Sequence, residues 1–143
     1  MRENVQIFDE LSGRDVLGIL GLREQVFVVE QSWPHREVDE KDPEALHLSI
    51  TENGEILAYC RLLRHSPDTA LIGRVIAARR GEGLGSAIVE LAKRAAREKL
   101  SAKTLLVHAQ VRVKGFYEKA GFAAFGEEFD ELGVRHIQMK VSL

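Results

Sequence analysis

The chain is poor in several things, and each shortage removes a class of function. It has a single cysteine, Cys60, in 143 residues. No internal disulfide can form, no Cys/His cluster has zinc spacing, and no metal is expected; a reducing compartment is the simplest setting. Cys60 alternates with Ala58 and Leu62, as a buried core thiol would. Charge of one sign is not in excess: the formal net charge is −2, so nothing suggests a general nucleic-acid binder, which would need a basic face. No apolar run approaches the roughly 20 residues that span a bilayer. Met1-Arg2-Glu3-Asn4-Val5 lacks the apolar stretch of a signal peptide. A cytoplasmic protein without membrane partners is expected. Repeats, linkers and low-complexity tracts are also missing, so residues 1–143 are read as one domain, long enough to bury a core.

What the chain does have is a glycine turn, Arg80-Gly81-Glu82-Gly83-Leu84-Gly85. It joins a strand-like run, Leu71 to Ala77, to a strongly helical one, Ser86 to Leu100. Three alternating glycines free the backbone of side chains where helical amides have no internal partner. The positive end of the helix dipole lies at the same place. The turn therefore predicts an anion site, with phosphate the natural ligand. No Gly-Lys-Ser/Thr follows, which excludes a P-loop NTPase. The spacing G-x-G-x-G, with no acidic residue at a ribose position, disfavours a dinucleotide fold.

Around the turn the pattern predicts a strand at Val5 to Phe8. Ser12 to Asp15 form a capping box that opens a helix carrying Val16, Ile19, Leu20, Val26 and Phe27, which Gly18 and Gly21 weaken. Gln31 to Glu44 reads as a solvated acidic loop. Strands are predicted at Leu46 to Thr51, Ile56 to Leu63 and Thr69 to Ala77, with Asn53-Gly54 as a hairpin turn. After the long helix come a strand at Thr104 to Ala109, a short helix at Val113 to Lys119 ended by Gly121, and two strands around a Leu132-Gly133 turn. The order β-α-β-β-β-α-β-α-β-β gives an α/β fold: a mixed sheet of six or seven strands with helices on both faces.

Arg80, Gly83 and Gly85 fit the pattern Arg/Gln-x-x-Gly-x-Gly/Ala. Phe116-Tyr117-Glu118-Lys119-Ala120-Gly121-Phe122 follows downstream. In this order the two motifs resemble the GNAT superfamily of N-acetyltransferases. The likeness is closer to its ElaA-like branch, through Phe27-Val28-Val29-Glu30-Gln31-Ser32, Ile72-Gly73-Arg74-Val75-Ile76, Ala109-Gln110 and His136-Ile137-x-Met139. Gln110 stands where many superfamily members have asparagine, as the branch does. The link from Ile76 to Arg80 is shorter than members of the branch usually carry.

The resemblance implies an acetyl-coenzyme A-dependent N-acetyltransferase acting on a primary amine by direct transfer. It assigns the coenzyme to Val75, Ile76 and Ala77, which would pair with the pantetheine arm. It also assigns Arg80, Gly81, Glu82, Gly83, Leu84, Gly85 and Ser86, around the pyrophosphate. Tyr117, neutral at pH 7, would protonate the departing thiolate. Many superfamily members place a glutamate on the strand before the turn; this chain offers Arg74 and no carboxylate. The general base is open among Glu30, His47, His108, His136 or a water chain, with His108 and Glu30 the catalytic candidates. His47, Arg74, Gln110 and His136 are expected on the amine side. His108 and Gln110 share a strand face by parity. Arg74 either orients a carboxylate, on a substrate or a catalytic glutamate, or sits in a buried ion pair, for which Glu30 is one partner. Trp33 covers the substrate mouth or only anchors its loop. Without the strand carboxylate, a non-catalytic acyl-coenzyme A binding module is the alternative. A homodimer through the terminal strands is left open.

Overall fold

The computed structural model describes residues 1–143, and the α/β architecture matches the expected order. β1 (Arg2–Ile7) leads to α1 (Gly13–Arg23), opened by the anticipated capping box: Ser12 Oγ accepts from the Asp15 amide at 3.0 Å, and the Ser12 amide donates to Asp15 at 2.9 Å. β2 (Leu46–Glu52), β3 (Glu55–Ser66) and β4 (Thr69–Ala77) form a meander. α2 (Leu84–Leu100) and β5 (Thr104–Gln110) follow, then α3 (Lys114–Lys119), β6 (Ala123–Glu131) and β7 (Val134–Ser142). Asn53 and Gly54 both take positive φ in the β2–β3 turn, as a two-residue hairpin requires.

One seven-stranded sheet runs in the order β1-β2-β3-β4-β5-β7-β6. Only β4 and β5 are parallel, and they pair only from Thr69 with Thr104 to Ile72 with Val107. Beyond Ile72 the strands part. On the other side of β4, the register with β3 slips between Tyr59 and Arg61. Arg74 fills the extra position with φ +56°, the left-handed region that a side chain enters only when its surroundings hold it there.

The two faces of the sheet are buried by different means. On one, Leu84, Ile88, Leu91 and Ala95 of α2 pack on Leu48, Cys60, Leu62, Ile72 and Leu105 in the main apolar core. The other carries a small apolar cluster, Ile19, Tyr59 and Ile76 with Val26 and Phe27 against them. Beside it lies a set of buried charges. Gly18 and Gly21 sit within regular α1. The helix instead widens to a π-type stretch after Arg23, over Glu24–Glu30. The widening keeps Val26 and Phe27 on the apolar cluster while Arg23 stays fully buried.

Candidate active site

The parting of β4 and β5 opens a cleft of about 440 Å³, with Val75, Arg74, His108, Gln110 and Tyr117 on its walls. Its floor comes from the two strands, one wall from Gln31 to Lys41, and the far rim from the β6–β7 turn.

The glycine turn stands where α2 starts. Gly81 and Gly83 have φ of +78° and +72°, and a Cβ on either would meet nothing within 4 Å, so the turn is an open cradle. No side chain caps α2, and its first amides have no internal acceptor. Arg79 pairs with Glu82 at 3.6 Å, which leaves Arg80 without an ion-pair partner beside Glu30 in an adjoining hollow. Gly85 is needed for a different reason: a Cβ there would lie 3.0 Å from the Phe116 ring, which itself packs edge-on against Tyr117 with centroids 5.0 Å apart. Leu84 is buried in the core and Ser86 is exposed in the first turn of α2. Val75 lines the cleft, Ile76 turns to the α1 face, and Ala77 ends the strand opposite Ala58. The short link that follows is anchored where the Ala78 amide donates to the Leu57 carbonyl at 2.8 Å.

The acidic loop is not a solvated one, which corrects the sequence expectation. Glu37 and Asp42 are buried, and with Asp39 they bind three arginines that converge from α1, β3 and β4. Arg23 donates through Nε to Glu37 and through Nη1 to Asp42, both at 2.7 Å. Arg61 donates to Asp39 at 2.7 Å and to Asp42 at 2.9 Å. Arg74 donates through Nε to Glu37 at 2.7 Å and through Nη2 to the Glu37 carbonyl at 3.1 Å. The partner of Arg74 is therefore Glu37, with Asp39 at 3.5 Å, and not Glu30, which is exposed. The physical reason is counter-charge: three guanidiniums on one sheet face cannot be desolvated alone, and this loop supplies the carboxylates. Hydrogen bonds from Arg61 push Asp39 down to about 2. Burial works against ionised Asp42, but bonds from Arg23 and the Asp39 amide outweigh it and hold its pKa below the usual value.

His47 lies in this ionic layer rather than on the cleft wall. Its Nε2 donates to the Asp42 carbonyl at 2.9 Å and its Nδ1 meets the Tyr59 hydroxyl at 2.7 Å. Burial lowers its pKa, and with both nitrogens engaged it is a neutral structural imidazole. His108 differs: it lines the cleft, makes no hydrogen bond through either nitrogen, and touches Phe129 edge-on at 5.6 Å. Burial lowers its pKa as well, which keeps it an unprotonated imidazole at neutral pH. His136 also faces the cleft, but its Nδ1 donates to the Val134 carbonyl at 2.7 Å and its Nε2 lies 3.4 Å from Glu131. Gln110 accepts from Arg112 at 2.8 Å and donates to Gln31 at 3.3 Å, tying strand β5 to the loop wall.

Trp33 both lines the cleft and anchors its loop. Its indole N–H donates to the Leu132 carbonyl at 2.7 Å, and its ring lies against His35 with centroids 4.1 Å apart. His35, which the sequence did not single out, bridges the Trp33 carbonyl at 2.6 Å and Glu37 at 3.0 Å. Tyr117 is 6% exposed, and that remnant includes its hydroxyl, which has no protein partner and is not fully enclosed. Burial raises its pKa, so the phenol keeps its proton.

A sheet split at one parallel pair, a bulge beside the split and an uncapped helix behind a glycine turn make one arrangement, on a fold that known proteins share. The acetyltransferase (GNAT) domain family matches residues 11–143. ElaA of Escherichia coli is 34% identical over 136 residues, 91% of this chain and 89% of ElaA. The ElaA crystal structure superposes with a TM-score of 0.89 over 98% of this chain and 99% of that one. An acyl-CoA N-acyltransferase from Pseudomonas aeruginosa gives a TM-score of 0.88 at 33% identity, over 98% and 99% of the two chains. A UPF0039 protein of Schizosaccharomyces pombe is 32% identical over 140 residues, covering 95% and 93%. The chain belongs to the GNAT acetyltransferase family, with ElaA among its relatives.

Proposed function

We propose that the protein moves an acetyl group from acetyl-coenzyme A to a primary amine, by direct transfer with both substrates bound. The observation that carries this reading is the unpartnered Tyr117 hydroxyl at the cleft where β4 and β5 part. Acetyl-coenzyme A fits the residues present: the open glycine cradle suits its phosphates, and the unpaired inner edge of β4 at Val75 to Ala77 suits its amide-bearing arm. It supplies an acetyl thioester, a good electrophile. Tyr117 holds the proton that the sulfur leaving group takes up. His108, neutral and free of hydrogen bonds, accepts the proton that the amine loses. Glu30, exposed on the side of the adjoining hollow with Arg80, is less well placed for that step. This reading takes residues 1–143 as one domain working in the cytoplasm; no helix is long and apolar enough to cross a membrane.

Incubation with acetyl-coenzyme A and a panel of amines should release free thiol in step with N-acetylated product. Coenzyme binding by calorimetry with no thiol release for any amine would instead favour the non-catalytic binding module, which the missing strand carboxylate suggests.

The cradle gives a second expected result. Gly85→Ala puts a methyl group 3.0 Å from the Phe116 ring, which must shift by a few tenths of an ångström against its edge-on contact with Tyr117. Overpacking of this kind costs on the order of 1–3 kcal/mol. Calorimetry should show coenzyme A bound several-fold more weakly by this variant; unchanged affinity and melting temperature would mean that Phe116 has room to move.

A further inference from the structure

The cleft is lined by three carboxylate side chains and by five lysine or arginine side chains, and they are unequally satisfied. The negative ones are Glu37, Asp39 and Glu131; the positive ones are Arg36, Lys41, Arg61, Arg74 and Arg112. Glu37 accepts Arg23 and Arg74 on one oxygen, and its other oxygen lies 3.0 Å from His35 Nε2. Asp39 accepts Arg61 and the Lys41 amide on one oxygen, and Arg61 with Arg74 on the other. Each of these four oxygens already has a nitrogen within 3.0 Å. Glu131 stands apart from these two at the far rim, half exposed, with His136 Nε2 3.4 Å away.

The donors are in surplus. Arg74 Nη1 makes no hydrogen bond and is not enclosed, on a side chain one-quarter exposed. Arg61 Nε is buried with no acceptor at all. Arg112 uses only Nε, for Gln110, and Arg36 and Lys41 have no side-chain partner.

From this asymmetry we propose that the amine acceptor also carries a carboxylate, and that Arg74 Nη1 grips it, with Arg112 on the opposite wall adding attraction. The inference rests on the transferase reading and names its substrate class. Arg74 is held in the bulge of β4, the residue before Val75, and both line the same cleft. A carboxylate there binds a charged donor whose other nitrogens are already used, and Arg is the side chain suited to that geometry. The same cations disfavour the ammonium form of a bound amine. That assists deprotonation in a site with no strand glutamate, and a purely cationic acceptor such as a polyamine would be repelled.

The test uses matched pairs: free amino acids of each side-chain class against their α-carboxamides, and lysine against 1,5-diaminopentane. Thiol release should show kcat/KM roughly ten- to a hundredfold higher for the carboxylate member of the preferred pair. In Arg74→Lys, which keeps a cation opposite Glu37 but loses the free Nη1, that ratio should fall toward one through KM for the carboxylate member alone. Equal or better use of the amides and the diamine overturns the proposal. A second arm reads binding without turnover: the coenzyme A-loaded wild-type protein should bind the N-acetyl amino acid at least tenfold tighter than its amide by calorimetry. If no pair releases thiol, the transferase reading falls while this arm still decides the carboxylate preference. Equal binding of acid and amide there overturns the preference even if transfer is seen.

Discussion

Replacing Arg23 with methionine is expected to cost about 3–5 kcal/mol of stability. Arg23 is completely buried and binds Glu37 and Asp42 through separate nitrogens, each at 2.7 Å. Methionine fills similar space, so the loss isolates charge: two carboxylates are left in the interior with one counter-ion fewer. For a chain of this length the melting temperature should fall by roughly 10–20 °C. Arg94→Met is the contrast, because its bond to Glu3, at 2.6 Å, is exposed and should be worth less than about 1 kcal/mol. Thermal unfolding followed by circular dichroism compares the two. Similar losses for both variants would mean that the loop is not held by its ions. Acid adds a signature. Asp39 and Asp42 ionise more readily folded than unfolded. Their contribution is therefore complete above the unfolded value of 3.8 and is lost as pH falls through the folded one, about 2 for Asp39. Arg23→Met, which deprives Asp42 of its main donor, should show a shallower acid loss than wild type.

Tyr117→Phe should lower kcat roughly a hundredfold or more, the usual scale of a positioned proton donor, while leaving coenzyme affinity and melting temperature nearly unchanged. The hydroxyl makes no hydrogen bond within the protein, so folding loses nothing when it is removed. Its ring, which packs edge-on to Phe116 and Phe122, is retained. Burial raises the phenol pKa, so Tyr117 should impose no loss of rate on the alkaline side of neutrality. Retention of more than about a tenth of wild-type kcat would assign the proton to another group.

The glycine turn, the order of elements along the chain and α2 were legible because their signals are local: positive-φ residues at a strand-to-helix junction, and apolar spacing that α2 keeps with Leu84, Ile88, Leu91 and Ala95 inside. The wall of the cleft was not. Arg23, Glu37, Asp42, Arg61 and Arg74 lie far apart in the chain, and a window over Glu37 to Glu44 sees only a run of charge. One signal pointed the right way. Arg61, between Cys60 and Leu62 in a strand-like run, needs a buried counter-ion, and this acidic run was the nearest dense supply. His47 misleads for the same reason. A histidine between apolar residues on a strand looks poised for chemistry, but here its face of the sheet is the polar one, and Asp42 and Tyr59 already occupy both nitrogens. Tyr117 and His108, both on the cleft, could be named as candidates from sequence, Tyr117 by the motif and His108, one of several, by sharing a strand face with Gln110. Their difference in hydrogen bonding from His47 and His136 is a tertiary fact.

The bonds from Arg74 to Glu37 also set an entropy. A free arginine side chain gives up about 1.5–2 kcal/mol of rotational freedom when it is immobilised. In most binding sites part of that loss falls at the moment of association. Here Nε and Nη2 are fixed by Glu37 before any ligand arrives, so the loss belongs to folding. A ligand that bonds to Arg74 Nη1 would meet a side chain already ordered, so this loss would not be subtracted from its affinity.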